Sequence, residues 1–446
     1  MQVNLLPTNE ELRKIMKIWL ILGISALAAA GFFSILIVML RTPGIQNVIP
    51  LKDFFHTSLV VHVDLSVLVW MLSVCGMLWC KITSNKYSKL SKVAVNLAII
   101  GTFLIAISAF ANDSKPLMNN YVPVLQNLPF FLGLSFFLCG ISIQVLITLI
   151  SYEKQTVSEN QSLYFSIYTS SIITLIAILS FLLSYHKIKG IKNLNYIDIQ
   201  YYYELLFWGG GHVLQFTYTQ ASIIAWVILY NSVSNTQLRS RLIKIASLIN
   251  LAAVIPTLSV YFYNEIDDGS YHRFFTEHMK YLGGIAPSII GAHIFVNLLK
   301  DKKIFGSSYL FSSLILFFVG GGIALLIMGT NVVIPAHYHG SIVGITLALM
   351  GLALIYLKDY GLNPPSNLKI YTLQPYLYGG GQLLHVIGLA WSGGYGALRK
   401  TPGAAPSFEA QLGMGLMGFG GLLAIIGGLI YVIICYKAFY AKKVVK

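Results

Sequence analysis

The chain has 446 residues, 56% of them hydrophobic and only 10% charged. A water-soluble domain carries about a quarter charged residues, so this composition excludes one and makes lipid the solvent for most of the surface. The net charge of +14 does not point to nucleic acid, because the Lys and Arg lie in short loops between apolar runs, where they set topology and meet anionic lipid.

Apolar runs of about 20 residues recur along the chain, and the strand alternation of a membrane barrel is absent. The expected fold is an all-α membrane protein with about twelve transmembrane helices. In chain order they fall near 17–40, 54–80, 92–111, 124–151, 162–185, 201–231, 241–263, 275–300, 308–329, 332–357, 370–392 and 412–439. The first run follows Glu10, Glu11, Arg13 and Lys14 without a small-residue cleavage site, and reads as a retained helix. The longest loops are expected at 186–200, 263–274 and 393–411, none able to hide a second domain, so residues 1–446 are expected to form a single polytopic membrane domain. Cys75, Cys80, Cys139 and Cys435 lie in apolar runs without CxxC or CxxCH spacing; this excludes a covalent c-type haem and leaves packing as their expected role.

Lys and Arg gather after even-numbered spans, at Lys81, Lys86, Lys89, Lys92, Arg239, Arg241, Lys300, Lys302, Lys303 and Lys358, and at both ends. That bias places both termini in the cytoplasm, with the bacterial inner membrane as the expected location. On this topology His56 and His62 open the second span, His212 lies in the sixth, His278 opens the eighth, His337 and His339 open the tenth, and His385 lies late in the eleventh. All fall in the outer half of the bilayer. One intramembrane imidazole is commonly a helix–helix hydrogen bond; several at one level are a functional hypothesis.

The sharpest local pattern is Pro335-Ala336-His337-Tyr338-His339-Gly340. Two histidines at i and i+2 on a helix point about 200° apart, so they suit two metals on opposite sides of the helix, and imidazole is an axial ligand of haem iron. Four further stretches stand in order around it: Val61-His62-Val63-Asp64, Gly209-Gly210-Gly211-His212, Thr276-Glu277-His278, and His385-Val386-Ile387-Gly388-Leu389-Ala390 followed by Arg399-Lys400. Together they resemble the catalytic subunit of the haem-copper oxidase superfamily, which includes the nitric oxide reductases, over spans two to eleven.

The resemblance implies a subunit I-like bundle, two haems (one low-spin, one high-spin) and one copper or non-haem iron. It makes His337 the ligand of the reactive haem, His339 a ligand of the low-spin haem, and His62 that haem's second ligand. His56 is the alternative, and His62 is favoured because it lies one to two turns deeper. His212 and His278 become ligands of the distal metal. The family usually has adjacent histidines where this chain has Glu277-His278, so either Glu277 replaces a ligand, a set suited to iron as well as copper, or the protein supplies the two histidines alone or with His272 from the preceding loop. Arg399 and Lys400 match a basic pair that binds haem propionates, displaced here by the extra residues Trp391 to Leu398. The glycine triplets 209–211, 320–322 and 379–381 would admit either a macrocycle or a neighbouring helix.

The implied activity is reduction of a small gaseous substrate. The family's main oxidases carry tyrosine four residues after the distal-metal histidine; this chain has Phe216 there, and with Glu277 that favours nitric oxide, reduced to nitrous oxide. Oxygen reduction is the alternative, because another oxidase branch supplies the tyrosine from the seventh span, where Tyr261 and Tyr263 lie. Glu204 is an acid within the sixth span, a proton relay or an interfacial residue. Electrons must come from a partner: a redox subunit, a c-type cytochrome or a cupredoxin. A histidine-using transporter, the rival from another class, would show inverted repeats, and none are evident.

Overall fold

The computed structural model describes residues 5–41, 54–111, 114–152, 160–191, 196–300, 307–362, 369–399 and 407–440. Ten of its helices are long and apolar enough to cross a membrane: Glu10–Leu40, Phe54–Cys80, Asn85–Ser108, Leu128–Ser151, Gln161–Ile188, Ile199–Val233, Ser240–Tyr263, Gly269–Leu298, Val333–Asp359 and Phe408–Tyr440. The other two expected spans are also helices. Ser308–Ala324 is apolar but has 17 residues, and Lys369–Gly394 is less apolar, with Pro375 inside it. Large apolar side chains stay exposed along the helices, among them Phe103, Phe136, Phe419 and Leu429. Lipid is the solvent that tolerates such a surface.

Several boundaries depart from expectation for local reasons. The fourth span starts at Leu128 rather than 124, because Asn127 caps the helix by accepting from the Phe130 amide and proline occupies its first turn. Just before it, Pro116–Leu117 and Val124–Leu125 pair as a short antiparallel ribbon. The second half of the expected 263–274 loop is helix Gly269–Leu282, capped by Asp268, so His272 is helical rather than in a loop. The second span changes to a π-helical turn at Asp64–Val69, which starts two residues after His62; such turns recur at functional sites. The seventh span tightens to three-residue turns at Ile255–Leu258, around Pro256. Cys75, Cys80 and Cys435 are buried as expected, whereas Cys139 is exposed.

The residues form two compact units, and the division falls inside helices Ile199–Val233 and Ile285–Lys300. The first unit, 1–224 with 238–290, packs Glu10–Arg41 on the second span, Ser88–Ser108 on Leu128–Ser151, and Gln161–Ile188 on Ser240–Val254. Glycines set the closest approach: a Cβ on Gly101 would lie 2.4 Å from the Phe137 amide nitrogen. The second unit, 225–237 with 291–446, is built on the pairs Ser308–Ala324 with Val333–Asp359 and Lys369–Gly394 with Phe408–Tyr440. The latter pair also meets through glycine, Gly388 against the Met417 backbone and Gly420 against His385.

At the loop after the second span, Lys81 donates to the Leu6 carbonyl at 2.6 Å. Burial, with Arg13 nearby, pushes its ammonium down to about 8. The folded protein thus binds fewer protons than the unfolded chain between pH 8 and the ordinary lysine range, and linkage makes stability rise with pH across that window. Thermal midpoints in detergent should rise more for the natural protein than for Lys81→Met between pH 8 and pH 10; parallel curves would refute the assignment.

Candidate haem and metal site

In the first unit, His62 donates Nδ1–H to the Ala30 carbonyl of the first helix at 2.8 Å. A carbonyl can only accept, so the tautomer is fixed and Nε2 carries the lone pair. His212, with a relative exposure of 3%, donates Nδ1–H to the Trp208 carbonyl at 2.7 Å. Among the described residues neither Nε2 has a hydrogen-bond partner. His278 is held the other way round: Nε2 donates to the Ala253 carbonyl at 2.7 Å, and Nδ1 is buried without a partner. The tight turn around Pro256 withdraws that carbonyl from the helical ladder and leaves it free to accept.

His212 sits in an aromatic cradle. Tyr121 lies 4.5 Å from its ring, Trp208 4.8 Å and Phe275 5.7 Å. His278 packs on Phe274 and Phe216. Tyr271, Phe275 and His278 follow the spacing of one helical face, and Glu277 lies on the exposed side of that helix. His272 lies 4.9 Å from Trp208, ring to ring. Among the described residues no three of His, Cys, Asp and Glu gather closely enough to hold an ion. The structure therefore seats His212 and His278 among different aromatic rings, linked through the contact of Phe274 with Phe275, and leaves Glu277 exposed. Asp64 is buried with both carboxylate oxygens unpartnered, whereas His56 is half-buried against Phe55.

The Gly209–Gly211 run serves aromatic side chains, not a macrocycle. A Cβ at Gly209 would meet the Tyr261 and Tyr271 hydroxyls, one at Gly210 the Phe181 ring, and one at Gly211 Tyr121. Tyr261 and Tyr271 are buried, share Ser184 at 3.2 Å each, and Tyr271 accepts from the Gly209 amide at 3.1 Å. Tyr263, the other tyrosine at that end of the span, is exposed. Tyr121 was not legible as a site residue, since it lies in the ribbon segment between two spans and belongs to no motif. Glu204 accepts from both the backbone and side chain of Asn120, next to Tyr121, which holds that segment against the sixth span.

In the second unit, His337 donates Nδ1–H to the Gly320 carbonyl at 2.8 Å, and its Nε2 has no hydrogen bond among the described residues. His339 turns to another helix, its ring 4.9 Å from that of His385, which is tied to the Met417 carbonyl at 3.0 Å. The two histidines thus face different neighbours, as their two-residue spacing requires. The extra residues before the basic pair are not a loose insertion. The eleventh helix runs on to Gly394, the chain reverses at Gly396 with φ +83°, and Leu398 bridges Asn331 at the start of the tenth helix. A positive φ of that size favours glycine. Arg399 follows directly, beside the end of the helix that carries His337 and His339; Lys400 lies outside the described residues.

Imidazoles held at one nitrogen by a backbone carbonyl, with the other nitrogen bare, are the donor set that haem iron and copper take. His62, His212, His278 and His337 therefore have the ligand chemistry that haem iron or copper needs. Gly320, Gly379 and Gly381 pack against helices, which settles their role as helix contact rather than macrocycle approach.

No family model matches the chain. It is 34% identical to "Uncharacterized protein RP382" of Rickettsia prowazekii, over 96% of each chain. It is also 29% identical to an uncharacterized protein of Aquifex aeolicus, over 77% of this chain and 85% of that one. Among solved structures it superposes on a haem-copper terminal oxidase, determined by cryo-electron microscopy as a dimer, with a TM-score of 0.72 and 16% identity over 98% of this chain and 86% of that one. The chain therefore belongs to the family of the Rickettsia protein RP382 and has the haem-copper oxidase subunit I fold.

Proposed function

We propose that this chain is the catalytic subunit of a respiratory reductase that passes electrons to nitric oxide and forms nitrous oxide. The reading is carried by the anchored imidazoles: His62, His212 and His337 each commit Nδ1 to a backbone carbonyl and keep Nε2 bare. His62 in the first unit and His339 in the second would each serve as ligand to low-spin haem iron that relays electrons, and His337 would hold the reactive haem. His212 and His278 hold a copper or non-haem iron. When bound, these metals supply the one-electron chemistry and polarise the substrate. The protein's part is to fix ring orientation through the carbonyl bonds, to exclude water with Tyr121, Trp208 and Phe275, and to neutralise haem carboxylates with Arg399. Electrons come from a redox subunit, c-type cytochrome or cupredoxin.

Nitric oxide is preferred over oxygen because Phe216, one turn beyond His212, packs its ring 5.3 Å from His278 and has no hydroxyl to give a hydrogen atom. Oxygen reduction is the second reading, and Tyr261 favours it: its buried hydroxyl lies against Gly209, about one turn before His212. A pyridine haemochrome spectrum of the purified protein tests the class, with two haems per chain expected and none refuting it. Metal analysis with parallel turnover on the two gases separates the two substrates.

Glu277 is left out of the ligand set because its side chain is exposed. Glu277→Gln should keep the distal metal and turnover within about twofold of the natural protein, well short of the roughly 10–100-fold cost of disturbing a ligand's supporting partners. Loss of the metal in that variant would restore the carboxylate to the set.

A further inference from the structure

Residues 114–127, between the third and fourth spans, meet the sixth span beside His212. The base of this segment is tied down: Asn127 donates to the Ser108 carbonyl at 3.1 Å and to the Ser114 hydroxyl at 2.7 Å, and the Gln126 amide donates to the Lys115 carbonyl at 3.0 Å. Pro116–Leu117 and Val124–Leu125 pair above it and leave residues 118–123 as the tip. There Glu204 of the sixth span accepts from both the amide and the side chain of Asn120, one carboxylate oxygen for each. The next residue, Tyr121, lies on the backbone of Gly211, where a Cβ would stand 2.3 Å from its Cγ, and its ring is 4.5 Å from that of His212. Asn120 is exposed, Tyr121 half-buried and His212 only 3% exposed, so the tip leads from the surface to the imidazole.

The seat of Tyr121 depends on the bonds to Glu204. A two-stranded ribbon is marginal by itself, and inside the tip Asn119 reaches the Val122 carbonyl only at 3.4 Å. A carboxylate that takes two N–H donors makes charge-assisted bonds, roughly twice as strong as neutral ones. Glu204 precedes His212 by about 12 Å of the same helix, so it fixes the tip in the frame that carries the imidazole. The alternative role for this acid, a proton relay, suits the geometry poorly: both oxygens of Glu204 accept from amide groups, which do not hand protons on.

We propose that Glu204 and Asn120 clasp Tyr121 over His212 as the lid of the distal metal, an inference that rests on the reductase reading above. Glu204 is a positioning residue that acts through Asn120 and Tyr121, and Tyr121 is the group that meets the ligand. The ring shields His212 on the side of the tip and keeps water and polar ligands away from the ion that His212 holds, since the apolar shell around a site controls solvent access. Gly211 lacks a side chain because the lid occupies that place.

The test uses the full chain with its haems and metal in detergent. The distal metal is stripped with excess EDTA, and its loss is followed over time by metal analysis. Glu204→Ala should speed the loss by roughly 10–100-fold, the range for removing a partner that supports a ligand. Tyr121→Ala should do the same, and the double variant should lose metal no faster than Tyr121→Ala, because both changes act through one contact. Glu204→Gln keeps an oxygen that can accept from Asn120 and should recover most of the natural retention, whereas a proton relay would respond to Gln as it does to Ala. Haem spectra and thermal midpoints should stay as in the natural protein. Natural rates of loss in Glu204→Ala or Tyr121→Ala would overturn the clasp, as would additive effects in the double variant or equal effects of Gln and Ala. So would faster loss that only tracks a lowered midpoint, since the clasp would then be general scaffolding. A natural protein without haem or metal would instead overturn the reductase reading, and the lid with it.

Discussion

Replacing His212 by leucine should leave the haem spectrum in place and remove turnover, by on the order of a thousandfold or more, because supporting partners alone are worth about 10–100-fold at a metal site. The argument starts from volume. Leucine fills most of the imidazole's space between Tyr121, Trp208 and Phe275, and His212 makes one hydrogen bond, to the carbonyl one turn before it in its own helix. Losing that bond costs little, since the carbonyl stays within the helix. What leucine cannot supply is the bare nitrogen. Metal analysis should therefore show the distal ion reduced while both haems persist. Full turnover in His212→Leu would remove this residue from the reaction and with it the proposed distal site.

Much of this was legible in the sequence because the bilayer imposes strong rules. A polypeptide in lipid must satisfy its backbone within helices, so the number and order of spans follow from hydropathy. Histidines are costly there, so His62, His212, His278 and His337 stand out as residues without any structure. The depth argument proposes the positions but says nothing of their anchors. The acceptors for His62, His278 and His337 come from other helices, at Ala30, Ala253 and Gly320, and no sequence spacing encodes a contact of that kind. Tyr121 was hidden for the same reason: its neighbour His212 is 91 positions away in the chain, and only the closing of the ribbon segment on Gly211 joins them. Glu277 is a different case. The family's adjacent pair makes it a possible replacement ligand in the sequence, yet its side chain lies on the exposed side of the helix whose other face carries Tyr271, Phe275 and His278.

The glycine triplets show why composition alone could not decide their role. Gly320, Gly321 and Gly322 are adjacent and chemically identical, yet a Cβ at Gly320 would strike backbone, while those at Gly321 and Gly322 would meet nothing within 4 Å. Helical rotation decides which glycine is required.

That difference makes the second large prediction. Gly320→Val should lower the thermal midpoint sharply and weaken the haem binding proposed for His337. The added Cβ would lie 2.3 Å from the Ser341 amide nitrogen and 2.6 Å from the Gly340 carbonyl carbon. Neither neighbour is a side chain that can rotate away, so the two helices must separate by roughly 1 Å or more to reach ordinary contact. Gly340 faces Gly320 from the other side, its own Cβ position 2.5 Å from the Gly320 Cα, so the fit has no slack in either helix. Overpacking of this kind costs about 1–3 kcal/mol. The displacement also strikes the chemistry, because the Gly320 carbonyl is the acceptor for His337 Nδ1 at 2.8 Å, and a shift of that size takes the pair beyond hydrogen-bond distance. An imidazole freed from its anchor can turn out of line with the iron. The control is Gly321→Ala, whose methyl meets open space and replaces the poorer helix former by about 1 kcal/mol. It should hold or raise the midpoint and retain haem. If Gly320→Val and Gly321→Ala behave alike, the helix contact does not position His337 and the proposed anchoring fails.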